Sequence, residues 1–96
     1  MIYRPPEGAR VLQPYDAAEA IPPHLAAKQA DRTAETIRQW ASIYGLGRRI
    51  GGRWMLSRIA LAMFLEGDFA ALRAYHLGQR EDSAATAYYA RMLKAV

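Results

Sequence analysis

Three neighbouring side chains, Glu35, Arg38 and Gln39, carry the hydrogen-bonding groups with which proteins read DNA bases. In the major groove, arginine bonds guanine, glutamine bonds adenine and a carboxylate accepts from cytosine. Glu35 has an alternative role, because an acid in the first turn of a helix also stabilises the helix dipole. Arg49 and Arg53 follow closely and are candidates for further DNA contacts. For each arginine the alternative is a solvated surface.

The positive charge of the chain is concentrated in the same segment. Residues 28–58 contain seven basic and two acidic side chains, a net charge of +5, whereas the rest of the chain carries −1. A localised surplus of this kind is what a polyanion-binding face requires. Chance clustering of arginines is the alternative interpretation.

The residue types give little support for a disulfide, a metal site or a catalytic site. The chain has no cysteine, which excludes disulfides and thiolate metal sites within it. His24 and His76 lie far apart and lack the spacing of a metal site. The sequence also lacks a glycine-rich phosphate loop, a clustered carboxylate pair and a nucleophile with a plausible base. We therefore expect a protein that is not an enzyme and that uses no metal or cofactor.

The length of 96 residues suits a single domain. The first residues lack a basic end followed by an apolar run, and no segment approaches the apolar length needed to cross a bilayer. We therefore expect a cytoplasmic protein that does not associate with a membrane.

The base-reading residues belong to the second of two short predicted helices. The first begins at "PPHLAAKQA", and Thr33 is a suitable N-cap for the second, which spans residues 34–44 and ends at Gly45. Apolar residues at helical spacing predict its buried stripe, namely Ile37, Trp40, Ala41 and Tyr44. The opposite side carries Glu35, Arg38, Gln39 and Ser42. Two helices joined by a tight turn are typical of a helix-turn-helix.

A β-hairpin is predicted directly after these helices. Gly51 and Gly52 separate "GRRI" from "RWML", and two adjacent residues that tolerate positive φ suit a two-residue hairpin turn. Alternation places Trp54 and Leu56 on one face of the second strand and leaves Arg53 at the tip. Because an isolated hairpin is only marginally stable, its apolar face must pack on the helices. The pattern predicts a mainly α fold, a winged helix-turn-helix with a two-stranded wing and extra C-terminal helices.

Two flanking regions complete the predicted organisation. Residues 1–21 are rich in proline and predict an extended N-terminal arm, and residues 22–67 form the predicted DNA-binding domain. Residues 68–96 predict a C-terminal helical extension, with Asp68 capping one helix and Asp82 or Ser83 beginning another.

Three residues of the C-terminal extension predict a surface for self-association. Tyr88, Tyr89 and Met92 lie close together in the last predicted helix. A single small module forms only a modest interface with DNA, about 600 to 1,000 Å². Useful affinity would then require several copies bound side by side, and we expect a dimer or a cooperative multimer on DNA.

The segment "TAETIRQWASIYGLGRRIGGRWMLSRIALAMFL", residues 33–65, resembles the excisionase and MerR-like class of winged helix-turn-helix domains. The shared pattern is a helix reading Thr-x-Glu-Thr-Ile-Arg-x-Trp, a glycine-containing wing followed by arginine and an aromatic residue, and a helix ending in Phe-Leu. The likeness covers about a third of the chain closely. The extension after residue 67 is a departure, since a minimal excisionase domain does not need it.

The resemblance implies positions for the contacts. It implies that Glu35, Arg38 and Gln39 enter the major groove, that Arg53 contacts the minor groove or the backbone, and that the turn before the second helix holds phosphate. Where excisionases often have Arg-Arg-Trp, this chain has Arg-Gln-Trp, which shifts the expected preference towards adenine. The complete predicted DNA-binding set is Arg32, Thr33, Glu35, Arg38, Gln39, Ser42, Arg48, Arg49 and Arg53.

The function that the resemblance implies is that of a recombination directionality factor. Such a protein binds and bends attachment-site DNA and favours excision of a mobile element, so an integrase of the tyrosine or serine class is a further expected partner. The resemblance also implies a bacterial or phage-derived protein that associates with the nucleoid. One alternative is a small MerR-like transcription regulator or a DNA-binding protein of the phage terminase small-subunit type. The other is a helical protein-interaction module that does not bind DNA.

Overall fold

The computed structural model describes residues 2–79 and 83–93, which form five α-helices and a three-stranded antiparallel sheet. The elements in chain order are β1 Ala20–Ile21, α1 Pro23–Ala30, α2 Ala34–Tyr44, β2 Gly47–Ile50, β3 Arg53–Ser57, α3 Arg58–Leu65, α4 Phe69–His76 and α5 Ser83–Leu93. This content agrees with the predicted predominance of helix. Among these residues no helix has both the length and the apolar character that crossing a membrane requires.

The second helix has the predicted caps and the predicted buried stripe. Thr33 Oγ1 accepts a hydrogen bond from the Thr36 backbone N–H at 3.1 Å, and Gly45 ends α2 in the left-handed conformation. Ile37 and Ala41 are buried. The aromatic rings of the stripe pack on Phe64 of α3, with the Trp40 ring centroid at 5.1 Å and the Tyr44 centroid at 4.7 Å. One side of α2 is thereby fixed against the core, and the other faces outward.

The predicted hairpin is present with a two-residue turn. Ile50 pairs with Arg53, so Gly51 and Gly52 alone form the turn, and their φ angles are 59° and 81°. Positive φ at both central residues gives a turn whose twist matches that of the flanking strands. At the base of the hairpin, a Cβ at Gly47 would collide with the Met55 carbonyl oxygen, so the close approach of the two strands requires glycine there.

The N-terminal residues, predicted to be an extended arm, pack against the rest of the protein. Tyr3, Val11 and Leu12 are buried in the core, and β1 pairs with the outer edge of β3 to make the hairpin a three-stranded sheet. The Leu12 N–H donates to the Tyr75 hydroxyl at 3.1 Å. The segment contains little regular structure, but contacts with distant parts of the chain hold it in place.

The C-terminal helices also belong to the common core. Leu72, Tyr75 and His76 of α4 are almost completely buried, and Ala85 and Tyr88 of α5 join the same apolar cluster. Helix α3 contacts both α4 and α5. Helices α4 and α5 therefore pack into the same core as the helices before them. The predicted start of the last helix at Asp82 lies outside the described residues, as does the end of the chain.

Candidate nucleic-acid interface

The outward side of α2 carries the predicted base-reading residues. Glu35, Arg38, Gln39 and Ser42 are all exposed, and each lies opposite the stripe that packs on α3. The N-cap and the packed rings fix the position of the helix backbone, so these four side chains project from a rigid element. A contact surface benefits from such anchoring, because the helix backbone needs little ordering at the moment of association.

Arg38 is paired only weakly within the protein. Its Nη1 lies 3.7 Å from Glu35 Oε1, and the two side chains are 47% and 73% exposed. Exposed ion pairs contribute little free energy, because water screens both charges and the long side chains lose freedom. The pair therefore leaves the Arg38 guanidinium available for a phosphate or a guanine, and the Glu35 carboxylate available for an amino group.

The two residues before α2 are held by local contacts. The Arg32 guanidinium lies over the Trp40 ring, 5.7 Å from its centroid, and Nη1 donates to the Asp31 carbonyl oxygen at 3.0 Å. Thr33 Oγ1 accepts from the Thr36 N–H and also donates to Thr36 Oγ1 at 3.1 Å. The Thr33 hydroxyl thus uses its only hydrogen within the cap, whereas Arg32 is exposed and keeps other N–H groups for an anion.

The tip of the hairpin presents two arginines to solvent. Arg49 and Arg53 are both exposed, and Arg49 Nη2 donates to the Gly52 carbonyl oxygen at 3.1 Å across the turn. Apart from the chain neighbours of each glycine, no atom of the described residues lies within 4 Å of the position that a Cβ would take at Gly51 or Gly52. The tip is therefore an open, positively charged projection from the sheet.

Arg48 differs from the prediction, because the structure gives it an internal role. Its Nε donates to the Val11 carbonyl oxygen and its Nη2 to the Leu12 carbonyl oxygen, both at 2.9 Å. The side chain is half-buried. A guanidinium that satisfies two backbone carbonyls of a buried segment fixes that segment to the sheet. Arg48 therefore joins the N-terminal residues to β2, and its neighbour Arg49 faces outward.

A buried carboxylate, Glu19, is the main polar centre that the sequence did not reveal. Its Oε2 accepts hydrogen bonds from Ser57 Oγ at 2.5 Å and from the Tyr75 hydroxyl, and its Oε1 accepts from the Tyr89 hydroxyl at 3.1 Å. Burial, followed by the charge of Glu19, raises the pKa of the Tyr75 hydroxyl, which stays protonated as a donor. This Glu19 cluster connects the N-terminal segment, β3, α4 and α5. No pattern in the local sequence distinguishes Glu19 from a surface acid.

The tyrosines predicted for self-association make contacts within the chain. The Tyr88 hydroxyl lies 3.2 Å from Glu66 Oε1 and 3.1 Å from Asp68 Oδ2, and the ring is buried. Burial, and then the Asp68 and Glu66 carboxylates, raise the pKa of Tyr88 to about 12. Tyr89 bonds Glu19, and Met92 packs on the core at its edge. These residues stabilise the attachment of α5, which differs from the surface role predicted for them.

His76 supports the end of α2 from inside the fold. Its Nε2 lies 2.7 Å from the Gly45 carbonyl oxygen, and its Nδ1 lies 2.9 Å from the Tyr3 hydroxyl. A carbonyl only accepts, so Nε2 carries the hydrogen that makes the first bond. A Cβ at Gly45 would lie 2.7 Å from that nitrogen. Glycine at position 45 therefore allows both the left-handed end of α2 and the close approach of His76.

Comparison of the chain with protein-family models, with curated proteins and with solved structures gives no match. The geometry is therefore the basis for assigning a function. The outward face of α2 carries Glu35, Arg38, Gln39 and Ser42, and Arg32 is exposed just before that helix. Arg49 and Arg53 are exposed at the hairpin tip, whereas Arg48 points inward.

Proposed function

We propose that the protein binds double-stranded DNA as a winged helix-turn-helix, with α2 in the major groove and the β2–β3 hairpin as the wing. The observation that carries the proposal is the outward polar face of α2, followed after only two residues by a hairpin with exposed arginines at its tip. Helix α2 is anchored by its caps and by the rings that pack on Phe64, and both elements present groups that suit a nucleic acid.

The dimensions of α2 fit a major groove. An α-helix with its side chains is about 10 to 12 Å across, and the major groove of B-DNA is about 12 Å wide. The side opposite the groove would be the stripe that packs on Phe64, so the body of the protein would lie outside the duplex. Arg38, Gln39 and Glu35 then have the groups for guanine, adenine and cytosine edges respectively.

The hairpin has the length to reach a neighbouring part of the duplex. Strand β2 has four residues, which corresponds to about 13 Å at about 3.3 Å per residue. The Gly51–Gly52 tip carries no side chains that would obstruct close approach to a sugar-phosphate backbone. Arg49 and Arg53 lie beside this tip and supply the charge.

The charge distribution supports binding to a polyanion. The surplus of +5 in residues 28–58 includes Lys28, Arg32, Arg38, Arg49 and Arg53, which are all exposed. Arg48 and Arg58 donate to carbonyl oxygens of the N-terminal segment instead. Four or five direct phosphate contacts are therefore the expected number, and not the full set of seven cations.

The proposed biological role is that of a recombination directionality factor that binds beside an attachment site and bends the DNA. The support for this role is the resemblance of residues 33–65 to excisionases, together with a size that allows several copies to lie side by side. Bending a short site costs of the order of 1 to 6 kcal/mol, and adjacent copies would share that cost. An integrase is the expected partner at such a site.

Affinity for a duplex should depend strongly on salt. Each neutralised phosphate contributes about −0.9 to the slope of log K against log salt concentration, so four or five contacts predict a slope of about −4. The measurement is fluorescence anisotropy of a labelled duplex titrated with protein at several salt concentrations. Absence of binding, or an affinity that does not change with salt, contradicts DNA binding and favours a protein-interaction module.

Arg53→Ala should weaken binding to all duplexes to a similar degree and should make the salt slope shallower by about 1. The physical reason is the loss of one backbone contact that carries no sequence information. Arg73→Ala is the matched control, because it removes one positive charge from an exposed position on α4. If the control changes the slope as much as Arg53→Ala does, the wing makes no specific phosphate contact.

Band-shift assays with circularly permuted fragments test the proposed role. Cooperative binding with a bend next to integrase sites supports a directionality factor. Binding confined to promoter DNA, without such a bend, would instead favour the transcription regulator and would leave the DNA-binding proposal intact.

A further inference from the structure

Ile43 is an aliphatic residue at the edge of the outward side of α2. Its side chain is 50% exposed, and it is not among the apolar residues that pack against the core. At about 100° per residue, position 43 lies about 40° around the helix from Gln39 and one turn further along it. The face that carries the base-reading groups therefore includes one apolar residue, one helical turn from Gln39.

Exposure alone assigns no role to Ile43, because single aliphatic residues are common on protein surfaces. Its neighbours are what distinguish it from the other exposed aliphatic residues. Gln39, Ser42 and Ile43 all lie on the exposed part of the same rigid helix. In the major groove only one base presents an apolar group, the C5 methyl of thymine.

We infer that Ile43 contacts a thymine methyl group, so that Gln39 and Ile43 together select a site with adenine and thymine close together. The inference rests on the proposed binding of α2 in the major groove and adds the base composition of the site. Successive turns of an α-helix are about 5.4 Å apart, and base pairs are about 3.4 Å apart. The thymine therefore lies one or two base pairs from the adenine that Gln39 bonds.

Replacement of thymine by uracil tests this contact directly. Uracil pairs with adenine in the same way and differs from thymine only in lacking the methyl group. The probe is the duplex most enriched from a pool of short duplexes with a randomised centre, with each thymine replaced by deoxyuridine in turn. Burial of one methyl-sized group corresponds to about a fourfold change in affinity. The wild-type protein should lose about that factor at one thymine position.

Ile43→Ala should bind the thymine and uracil duplexes equally well. The substitution keeps a good helix former at an exposed position, so α2 should remain folded. Leu65→Ala is the matched control, because Leu65 is also a partly exposed aliphatic residue, 41% exposed, but lies at the end of α3. The control should keep the full difference between the two duplexes. Gln39→Ala should relax the preference for adenine while the response to uracil remains.

Each other outcome overturns the inference in a recognisable way. Equal affinity of the wild-type protein for all the uracil duplexes means that no thymine methyl group is sensed. Discrimination that persists in Ile43→Ala means that another residue senses it. Enrichment of no sequence, with duplex binding retained, removes base selection and leaves DNA binding standing. If no duplex binds at any salt concentration, the proposed function fails as well.

Discussion

The Glu19 cluster and the outward face of α2 are both rich in polar groups. The groups of the cluster form hydrogen bonds within the protein, whereas those of α2 face solvent. In the cluster, the carboxylate oxygens of Glu19 take their donors from β3, α4 and α5. On α2, Gln39 and Ser42 project into solvent, and Arg38 forms an exposed ion pair with Glu35. Polar residues that bind one another stabilise the fold, whereas polar residues that face outward on a rigid element are suited to binding something else.

Arg48 and Arg49 show the same contrast at the scale of one residue. They are adjacent on β2, so their side chains point to opposite sides of the sheet. Arg48 fixes the carbonyl oxygens of Val11 and Leu12, and Arg49 is exposed beside the turn. Charge alone could not assign these two roles. The side of the strand and the presence of a buried segment on that side decide them.

Removal of the residues after Gly67 should have the largest effect, because it would take away one wall of the core. Leu72 and Tyr75 are completely buried in α4, and Ala85 of α5 is buried as well. We expect a chain that ends at Gly67 to lose its cooperative thermal transition and most of its helical circular dichroism. A truncated chain that melts cooperatively and binds DNA would make residues 22–67 an independent domain after all.

The matched pair Arg48→Ala and Arg49→Ala should separate stability from binding. Arg48→Ala leaves two carbonyl oxygens of a buried segment without their charged donor, and we expect a loss of about 2 kcal/mol in the free energy of unfolding. Arg49→Ala should change that free energy by less than about 0.5 kcal/mol and should weaken duplex binding. Urea denaturation and anisotropy titrations measure the two quantities. Equal loss of stability in both variants would remove the distinction between the two sides of β2.

Tyr88→Phe should have the smallest effect, and the difference between this variant and the wild-type protein should change with pH. Burial and the neighbouring carboxylates raise the pKa of Tyr88 to about 12, whereas a tyrosine in the unfolded chain has a pKa of about 10. The unfolded chain therefore releases the proton first, and the stabilisation is complete below about pH 10 and is lost as the pH rises through about 12. The free energy of unfolding of the wild-type protein should fall across this range.

Comparison of pH series for Tyr88→Phe and the wild-type protein tests this expectation. The variant should have a shallower fall in the free energy of unfolding, since it lacks the titrating hydroxyl. Tyr15→Phe is the control, because Tyr15 is 51% exposed. A fall of equal steepness in the wild-type protein and in Tyr88→Phe would show that Tyr88 is not responsible for it.

The regions that the sequence predicted well are those with local physical signals. Thr33 and Gly45 mark the ends of α2 through their capping preferences, and the adjacent glycines specify the hairpin turn. The helical spacing of Ile37 and Ala41 indicated the buried side of α2, which also determined the outward side. Most of the candidate site was predictable for this reason.

The regions that the sequence predicted poorly depend on contacts between distant residues. The buried Leu12 donates its backbone N–H to the hydroxyl of Tyr75, which lies 63 positions away in the sequence. Strand β1 is only two residues long and forms because the edge of β3 is available for pairing. The proline-rich composition of residues 1–21 suggests an extended arm. It gives no indication that Tyr75, far along the sequence, bonds this segment. The contacts of Tyr88 were missed for the same reason. Its hydroxyl donates to Glu66 and Asp68, which lie more than a helix away in the sequence and come close only through the packing of the helices.

Ser57 anchors the hairpin at the end opposite to its tip. Its Oγ accepts from the Ala60 N–H and donates to Glu19, and its backbone N–H donates to the Leu46 carbonyl oxygen. A shift of one residue along the ladder would break the bonds to Leu46 and Glu19, so the strand alignment is determined at the base. The turn itself is therefore open to redesign: loops of other lengths and charges could replace the two glycines, and the protein offers a scaffold on which hairpin length is an adjustable variable.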